Sequence, residues 1–273
     1  MMTRMSIRSG RALLHAEVKG TKAARPIVFL HAAVADSRMW LQSMEQVESA
    51  ATLVAYDRRG FGRTQYEPED YSSIADLTAI LDSIAPEKRA VLVGCSQGGR
   101  IALDAALEHS ERVAGLILIA PNVPGAPEAD YSQETEELLA LQTRLQKLGD
   151  IHRLNSLKAH LWLDGPSAEE GRVSGETRDL LLEMNSIALM APPAGTDLDI
   201  SRVAPAFNRL GQVEVPTLMM WGISTSHTSV QGADWLPRKF AHVTAMNWLE
   251  RRICPHLTVL QRSPRLCSTF LLN

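Results

Sequence analysis

Five short apolar runs, none of them alternating with polar residues, constrain this chain more than any other feature. They are Pro26 to His31 (PIVFLH), Thr52 to Tyr56 (TLVAY), Ala90 to Val93 (AVLV), Leu116 to Ala120 (LILIA) and Pro216 to Trp221 (PTLMMW). A strand with one wet face alternates, whereas a strand covered on both faces reads as a continuous run. The pattern therefore predicts a mostly parallel central sheet wrapped by helices, an α/β fold. The stretches between the runs carry helical spacing. Tyr71 to Ile84 places Ile74, Leu77, Ile80, Leu81 and Ile84 on one face, and Gln97 to Glu108 follows the AVLV run directly. Leu13 to Val18 reads as an additional antiparallel edge strand.

From Gly125 to Leu210 the pattern changes. Helical stretches such as Ser132 to Leu148 and Glu176 to Met190 alternate with breaks at Gly165-Pro166 and Pro192-Pro193, and no strand-like run occurs. An all-helical insertion between two strands is how a cap over a site is built; extra packing helices are the plainer alternative. The chain is thus expected to divide into a core (1–124), a helical cap (125–210) and the last part of the core (211–273). With 273 residues, 45% of them hydrophobic, it can bury a core of that size. A net charge of -3 with scattered lysines and arginines argues against nucleic acid as a partner. The N-terminus is interrupted by charge every few residues and no run of 18 apolar residues occurs. No signal peptide or membrane association is expected, and the expected location is cytoplasmic. Cys95, Cys254 and Cys267 have neither metal-ligand nor disulfide-framework spacing, and no His/Asp/Glu grouping implies a metal.

The AVLV run ends in Gly94-Cys95-Ser96-Gln97-Gly98, followed by Gly99 and a helix. This is Gly-x-Ser-x-Gly in the strand, turn and helix setting that gives it meaning. A serine lifted clear of a sheet must sit on a strained turn, and side chains at the flanking positions would strike the neighbouring strand or helix. The helix then aims its N-terminus at the site, so that the Gln97 backbone N–H can stabilise an oxyanion.

On these residues the chain resembles the α/β-hydrolase family, over Arg11 to Gly222. FLHAAVADSRMW (Phe29 to Trp40) is similar to the family's His-Gly oxyanion loop, with His31 in place and Ala32 where glycine usually stands. The resemblance implies that Ser96 is the nucleophile and the Ala33 amide the second oxyanion donor. VAYDRRGFGRT (Val54 to Thr64) is similar to the loop after the next strand, where Asp57 and Arg58 are expected to hold structure. The resemblance also implies no cofactor and a small-molecule ester, lactone or similar carbonyl substrate, and it leaves the oligomeric state open. Leu139, Leu141, Leu145, Trp162, Leu180, Leu181, Leu182 and Met184 are available to make the cap's inner face apolar.

A serine hydroxyl needs an imidazole to take its proton and a carboxylate to orient that imidazole. The family's order is serine, acid, histidine, with the acid just after the strand ending here at Trp221-Gly222. The sequence continues Ile223-Ser224-Thr225, without a carboxylate. After Gly222 the composition also shifts. Six Lys or Arg face two acids, Asp234 and Glu250, although acids outnumber bases 31 to 28 overall, and two of the three cysteines fall in the last 20 residues. Reading each codon from its third base makes Gly222 to Thr228 compatible with Gly-Asp-Leu-Asp-Phe-Pro-His-Ile, and Asn247 to Pro255 with Leu-Ala-Gly-Thr-Ala-His-Leu-Pro. Both motifs the family needs appear in one shifted frame, so 223–273 are expected to be non-native in sequence. The other reading takes the tail as authentic, with His256 as base and Asp234 as orienting acid. His109, His152 and His160 are read as structural or solvent-facing. Two functions stay open: a serine hydrolase impaired by its tail, or a catalytically silent hydrolase fold that binds a small apolar ligand.

Overall fold

The computed structural model describes residues 2–21, 25–47, 51–128, 130–200, 205–222 and 236–248. Among them the strands are β1 (Met2–Ser9), β2 (Ala12–Lys19), β3 (Pro26–Leu30), β4 (Thr52–Tyr56), β5 (Gln65–Tyr66), β6 (Ala90–Cys95), β7 (Val113–Ile119), β8 (Thr217–Gly222) and β9 (Val243–Trp248). The helices are α1 (Leu41–Gln46), α2 (Ser73–Ile84), α3 (Gln97–Glu108), α4 (Gln133–Leu148), α5 (Ile151–Ala159), α6 (Glu176–Met190) and α7 (Ala206–Arg209). The sheet runs β1-β2-β4-β3-β6-β7-β8-β9, with β5 paired to β2. From β4 to β9 every pair is parallel; β1 and β2 are antiparallel.

Continuous apolar runs work here because successive side chains point to opposite faces and both faces are buried. Val28, Leu30, Val54, Tyr56, Leu92, Leu116, Leu118 and Met219 enter one core with Ile74, Leu77, Ile80 and Ile84 of α2 and Ile101 and Leu103 of α3. Ile27, Phe29, Leu53, Ala55, Val91, Val93, Ile117, Ile119, Leu218 and Met220 enter the other, against Met39, Trp40 and Met44. At about 1.5–3 kcal/mol for each fully buried aliphatic side chain, these two layers supply the main favourable contribution to folding.

Two elements differ from the expected pattern. The Leu13 to Val18 strand is antiparallel, as expected, but it is not the edge, because β1 pairs outside it along its whole length. Strand β9 extends the sheet beyond β8.

Between β7 and β8 the described chain is helical. Ser132 caps α4 by accepting from the Thr135 amide, and Gly149 ends it in the left-handed conformation at φ 67°. Helix α5 runs into a π-helical turn, His160–Asp164. There the buried Asp164 accepts from the Gly171 and Val173 amides and from Arg178 Nη1, at 2.9, 2.9 and 2.7 Å. One buried carboxylate thus organises the loop before α6. No described helix is long and apolar enough to cross a membrane.

Candidate active site

Ser96 occupies the single residue between β6 and α3, with φ 50° and ψ −112°. A non-glycine residue at positive φ is strained and persists only where its surroundings over-determine it. Here the Ser96 amide donates to the Ile119 carbonyl at 3.0 Å, and the Ser96 carbonyl accepts from the Arg100 and Asn122 amides at 3.1 and 3.0 Å. The glycines follow from sterics. A Cβ at Gly94 would stand 2.5 Å from the Gly98 carbonyl oxygen, and one at Gly98 would run into the Leu30 carbonyl. One at Gly99 would lie 2.9 Å from Pro121 Cβ. Ser96 and Gln97 stay partly exposed while Gly94, Cys95, Gly98 and Gly99 are buried.

A second strained residue lies one strand over. Ala120, at φ 41°, follows β7 and donates to the Met220 carbonyl at 2.8 Å. Its neighbours clamp the serine turn, Pro121 against Gly99 and Asn122 through its amide. Sequence reasoning missed this clamp. The signal for it was Ala-Pro-Asn placed immediately after an apolar strand.

The other wall is the segment after β3. Leu30 pairs with Gly94 in the parallel ladder, which carries residues 31–33 alongside the serine turn. Ala32 is buried and Ala33 exposed, in a turn closed by the Ala35 amide donating to the Ala32 carbonyl at 3.2 Å. Among the described residues neither the Ala33 nor the Gln97 amide has a hydrogen-bond acceptor.

His31 is fully buried, and burial followed by the neighbouring Arg58 charge holds its pKa well below the ordinary histidine value. Its Nε2 accepts from the Arg58 amide at 3.1 Å, so the neutral ring carries its proton on Nδ1, which donates to the Ala32 carbonyl at 2.8 Å. Both ring nitrogens are therefore occupied, Nδ1 by its own loop and Nε2 by the loop after β4.

Asp57 accepts from the Ser37 and Arg63 amides, each at 2.8 Å, and so joins the loops after β3 and β4. The helical segment reaches the same wall. Val34 packs against Ala159, Leu163 and Leu181, the Asp36 amide donates to Met184 Sδ at 3.4 Å, and Arg38 bridges Asp36 and Glu183.

Asp234 and His256 lie outside the described residues, as does the stretch from 223 to 235 that follows β8. Of the remaining histidines, His160 is buried with Nδ1 3.7 Å from Asp164, while His109 is half-buried and His152 exposed. Among the described residues no group of three or more His, Cys, Asp or Glu could hold a metal ion. What the described geometry offers is a partly exposed hydroxyl on a strained turn, with the acceptor-free Gln97 amide next to it and an acceptor-free Ala33 amide on the neighbouring loop.

The sequence profile described as Alpha/beta hydrolase family matches residues 27–263. A pimeloyl-[acyl-carrier protein] methyl ester esterase from Edwardsiella ictaluri is 31% identical over 138 residues, covering 44% of this chain and 52% of that protein. The match thus spans about half of that relative's length. The protein of the same name from Photorhabdus laumondii is 26% identical over 234 residues, covering 83% of this chain and 81% of that one. Among solved structures, an esterase from Exiguobacterium antarcticum superposes with a TM-score of 0.72 at 20% identity, covering 100% of this chain and 98% of that one. At that identity the likeness speaks to the fold alone.

Proposed function

The chain belongs to the alpha/beta hydrolase family, with esterase-like relatives, and from that premise we propose that it is built as a serine hydrolase of an ester, lactone or similar small carbonyl compound. The observation that carries the proposal is the backbone of Ser96, at φ 50° between a central parallel strand and a helix. Ser96 attacks the carbonyl carbon, and the amides of Ala33 and Gln97 receive the oxyanion. A histidine carries the proton from the hydroxyl to the leaving group, and water then releases the acyl group. Helices α4 to α6 serve as a cap. Their apolar side chains, with Val34 beneath them, favour a small hydrophobic substrate.

The tail after Gly222 is, on this proposal, the product of a one-base shift in the coding frame. Turnover by the chain as written should then fall by a factor of about 10⁴ relative to a frame-restored version, because the orienting acid and the base are replaced while the oxyanion donors stay. A second reading rests on the missing carboxylate at 223–225: a silent hydrolase fold that binds a small apolar ligand under its cap.

Resequencing the gene across the Gly222 codon, with hydrolysis of a short-chain 4-nitrophenyl ester by both versions, tests these proposals. Clean reads of an unshifted frame end the frame-shift idea. Turnover by the restored chain that survives Ser96→Ala ends the nucleophile assignment. Ligand-induced thermal stabilisation without turnover in either version favours the binder.

A further inference from the structure

Three arginines are buried beside the site, and two of them are neutralised. Arg59 is paired with Asp76 and Glu69, and Arg100 with Asp197 and Asp104. Arg58 differs. It is buried, it forms no ion pair with any described carboxylate, and its Nε has no hydrogen-bond partner. Its guanidinium lies over the Phe61 ring, 4.5 Å from the centroid, and Nη2 donates to the His31 and Ala32 carbonyls at 3.2 and 3.3 Å. Burial of an uncompensated charge is costly, and burial pushes the Arg58 pKa down to about 10. A leucine or methionine would fill the space without that cost.

The use of the charge follows from peptide geometry. The Ala32 carbonyl receives three donors: His31 Nδ1 at 2.8 Å, the Ala35 amide at 3.2 Å and Arg58 Nη2 at 3.3 Å. In a trans peptide the carbonyl and the following N–H share a plane and point in opposite directions. Holding the Ala32 oxygen from the buried side therefore aims the Ala33 N–H outward, where that residue is exposed. A cation on the oxygen also polarises the same amide, making its N–H a stronger donor.

We propose that Arg58 is a positioning residue for the Ala33 amide: together with His31 it fixes and polarises the Ala32–Ala33 peptide, so that its N–H meets the oxygen that becomes anionic when Ser96 is acylated. This rests on the Ser96 reading above. The loop has alanine rather than glycine at 32, and the methyl group is buried, so its peptide planes are held by donors rather than left free to reorient. Arg58 touches no substrate; it acts through one carbonyl.

The test uses the full chain with phenylboronic acid, which forms a tetrahedral adduct with an accessible serine, together with ¹⁵N NMR of the Ala33 amide. Arg58→Met removes the charge and the donor, and Arg58→Lys keeps the charge but loses the planar fork. Boronate binding by the unmodified chain should be lost in Ser96→Ala and weakened about tenfold in Arg58→Met, less than outright removal of an oxyanion donor costs. Arg58→Lys should fall between. The Ala33 amide should shift and exchange faster in both variants, a change that a loss of global stability alone would spread over the whole spectrum. If Arg58→Met does not fold, Arg58→Lys carries both readouts. Ser96-dependent boronate binding unchanged by the Arg58 variants overturns the proposal and leaves the hydrolase reading standing. Boronate binding indifferent to Ser96 sinks the hydrolase reading instead, and no binding at all is what a chain without a base for the Ser96 proton gives. The Ala33 resonance then decides, and an amide unmoved by the Arg58 variants overturns the positioning role.

Discussion

Asp197→Asn should destabilise this protein by about 2–3 kcal/mol at neutral pH. Asp197 lies on the stretch that leaves α6 and runs back along the core. The Glu69 amide donates to the Ala194 carbonyl at 3.0 Å, the Tyr71 amide to Thr196 at 2.9 Å, and the Leu198 amide to Tyr71 at 2.8 Å. The Asp197 carboxylate accepts from Ser73 Oγ at 2.8 Å, from the Asp199 amide at 3.1 Å and from Arg100 Nη2 at 3.1 Å. Arg100 belongs to α3, the helix that begins beside Ser96, so this ion pair fastens the exit of the helical segment to that helix. Both side chains are 6% exposed. At an effective dielectric of about 20, two charges 3.1 Å apart attract by about 5 kcal/mol, and breaking a buried pair costs about 3–5 kcal/mol. Two things reduce that figure. Asparagine keeps one acceptor oxygen for Ser73 and Arg100, and Arg100 still has Asp104 at 3.5 Å. Urea unfolding of the two proteins under identical conditions, followed by far-UV circular dichroism, measures the difference. The double variant Arg100→Met/Asp197→Leu, with no charge left to strand, should recover most of the loss. A loss below about 0.5 kcal/mol for Asp197→Asn, the scale of an exposed pair, would refute the claim that this contact is buried and paired as described.

The same network predicts a pH effect of opposite sign to a stabilising salt bridge. Burial, opposed by Arg100 and assisted by the nearby Asp199, pushes the Asp104 pKa up to about 6. The folded state therefore holds this proton more tightly than the unfolded chain, and Asp104's contribution to stability is lost as pH rises from about 4 through about 6. Asp104→Asn should raise the unfolding free energy from urea titration at pH 7.5 by an amount of order 1 kcal/mol, discounted for partial exposure, and change it little at pH 4.5; equal effects at both pH values would count against the assignment. In the backbone, Gly98→Ala should cost about 3 kcal/mol or abolish soluble expression, because its Cβ meets the Leu30 carbonyl rather than a side chain able to move. Gly149→Ala, where nothing lies within 4 Å but φ is 67°, should cost only about 1 kcal/mol. Similar melting temperatures for the two variants would contradict the steric account.

The sheet was largely legible in the sequence. Thr52 to Tyr56, Gln97 to Glu108 and Glu176 to Met190 coincide with β4, α3 and α6, and Ser132 and Ser72 sit as the N-caps of helices read one or two residues long. The parallel strands could be read because burial on both faces removes the polar alternation. Strand β1 could not, since MTRMSIRS is mostly exposed and owes its form to pairing with β2. Helix α5 and its π turn were hidden because Ile151 to Asp164 packs partly on other helices and partly on Val34, which blurs a single apolar face. In the site, Ser96 was legible because steric exclusion at Gly94 and Gly98 writes itself into the sequence. The partners of Arg58, the Asn122 clamp and the Arg100–Asp197 pair were not. Each joins residues far apart in the chain, and no local spacing marks such a contact.

Ser96 and the Gln97 and Ala33 amides lie in the part of the chain before Gly222, as do their described partners. Ser96 is held by Ile119, Arg100 and Asn122, and the Ala32–Ala33 peptide by His31, Ala35 and Arg58. Strand β8 meets these residues through its ladder with β7 and through the Met220 carbonyl, which accepts from the Ala120 amide, all ahead of Gly222. On the proposed frame shift, a change confined to 223–273 removes the acid and the base without touching any of these described contacts. Binding of a tetrahedral analogue and turnover of an ester should consequently respond to different halves of the molecule. On the proposed frame shift, restoring the frame should raise turnover by orders of magnitude and Ser96-dependent boronate affinity by a far smaller factor, the part contributed by a base that takes the Ser96 proton. Affinity and turnover rising by the same factor would mean that the tail helps to shape the oxyanion site, and the two would not be separable.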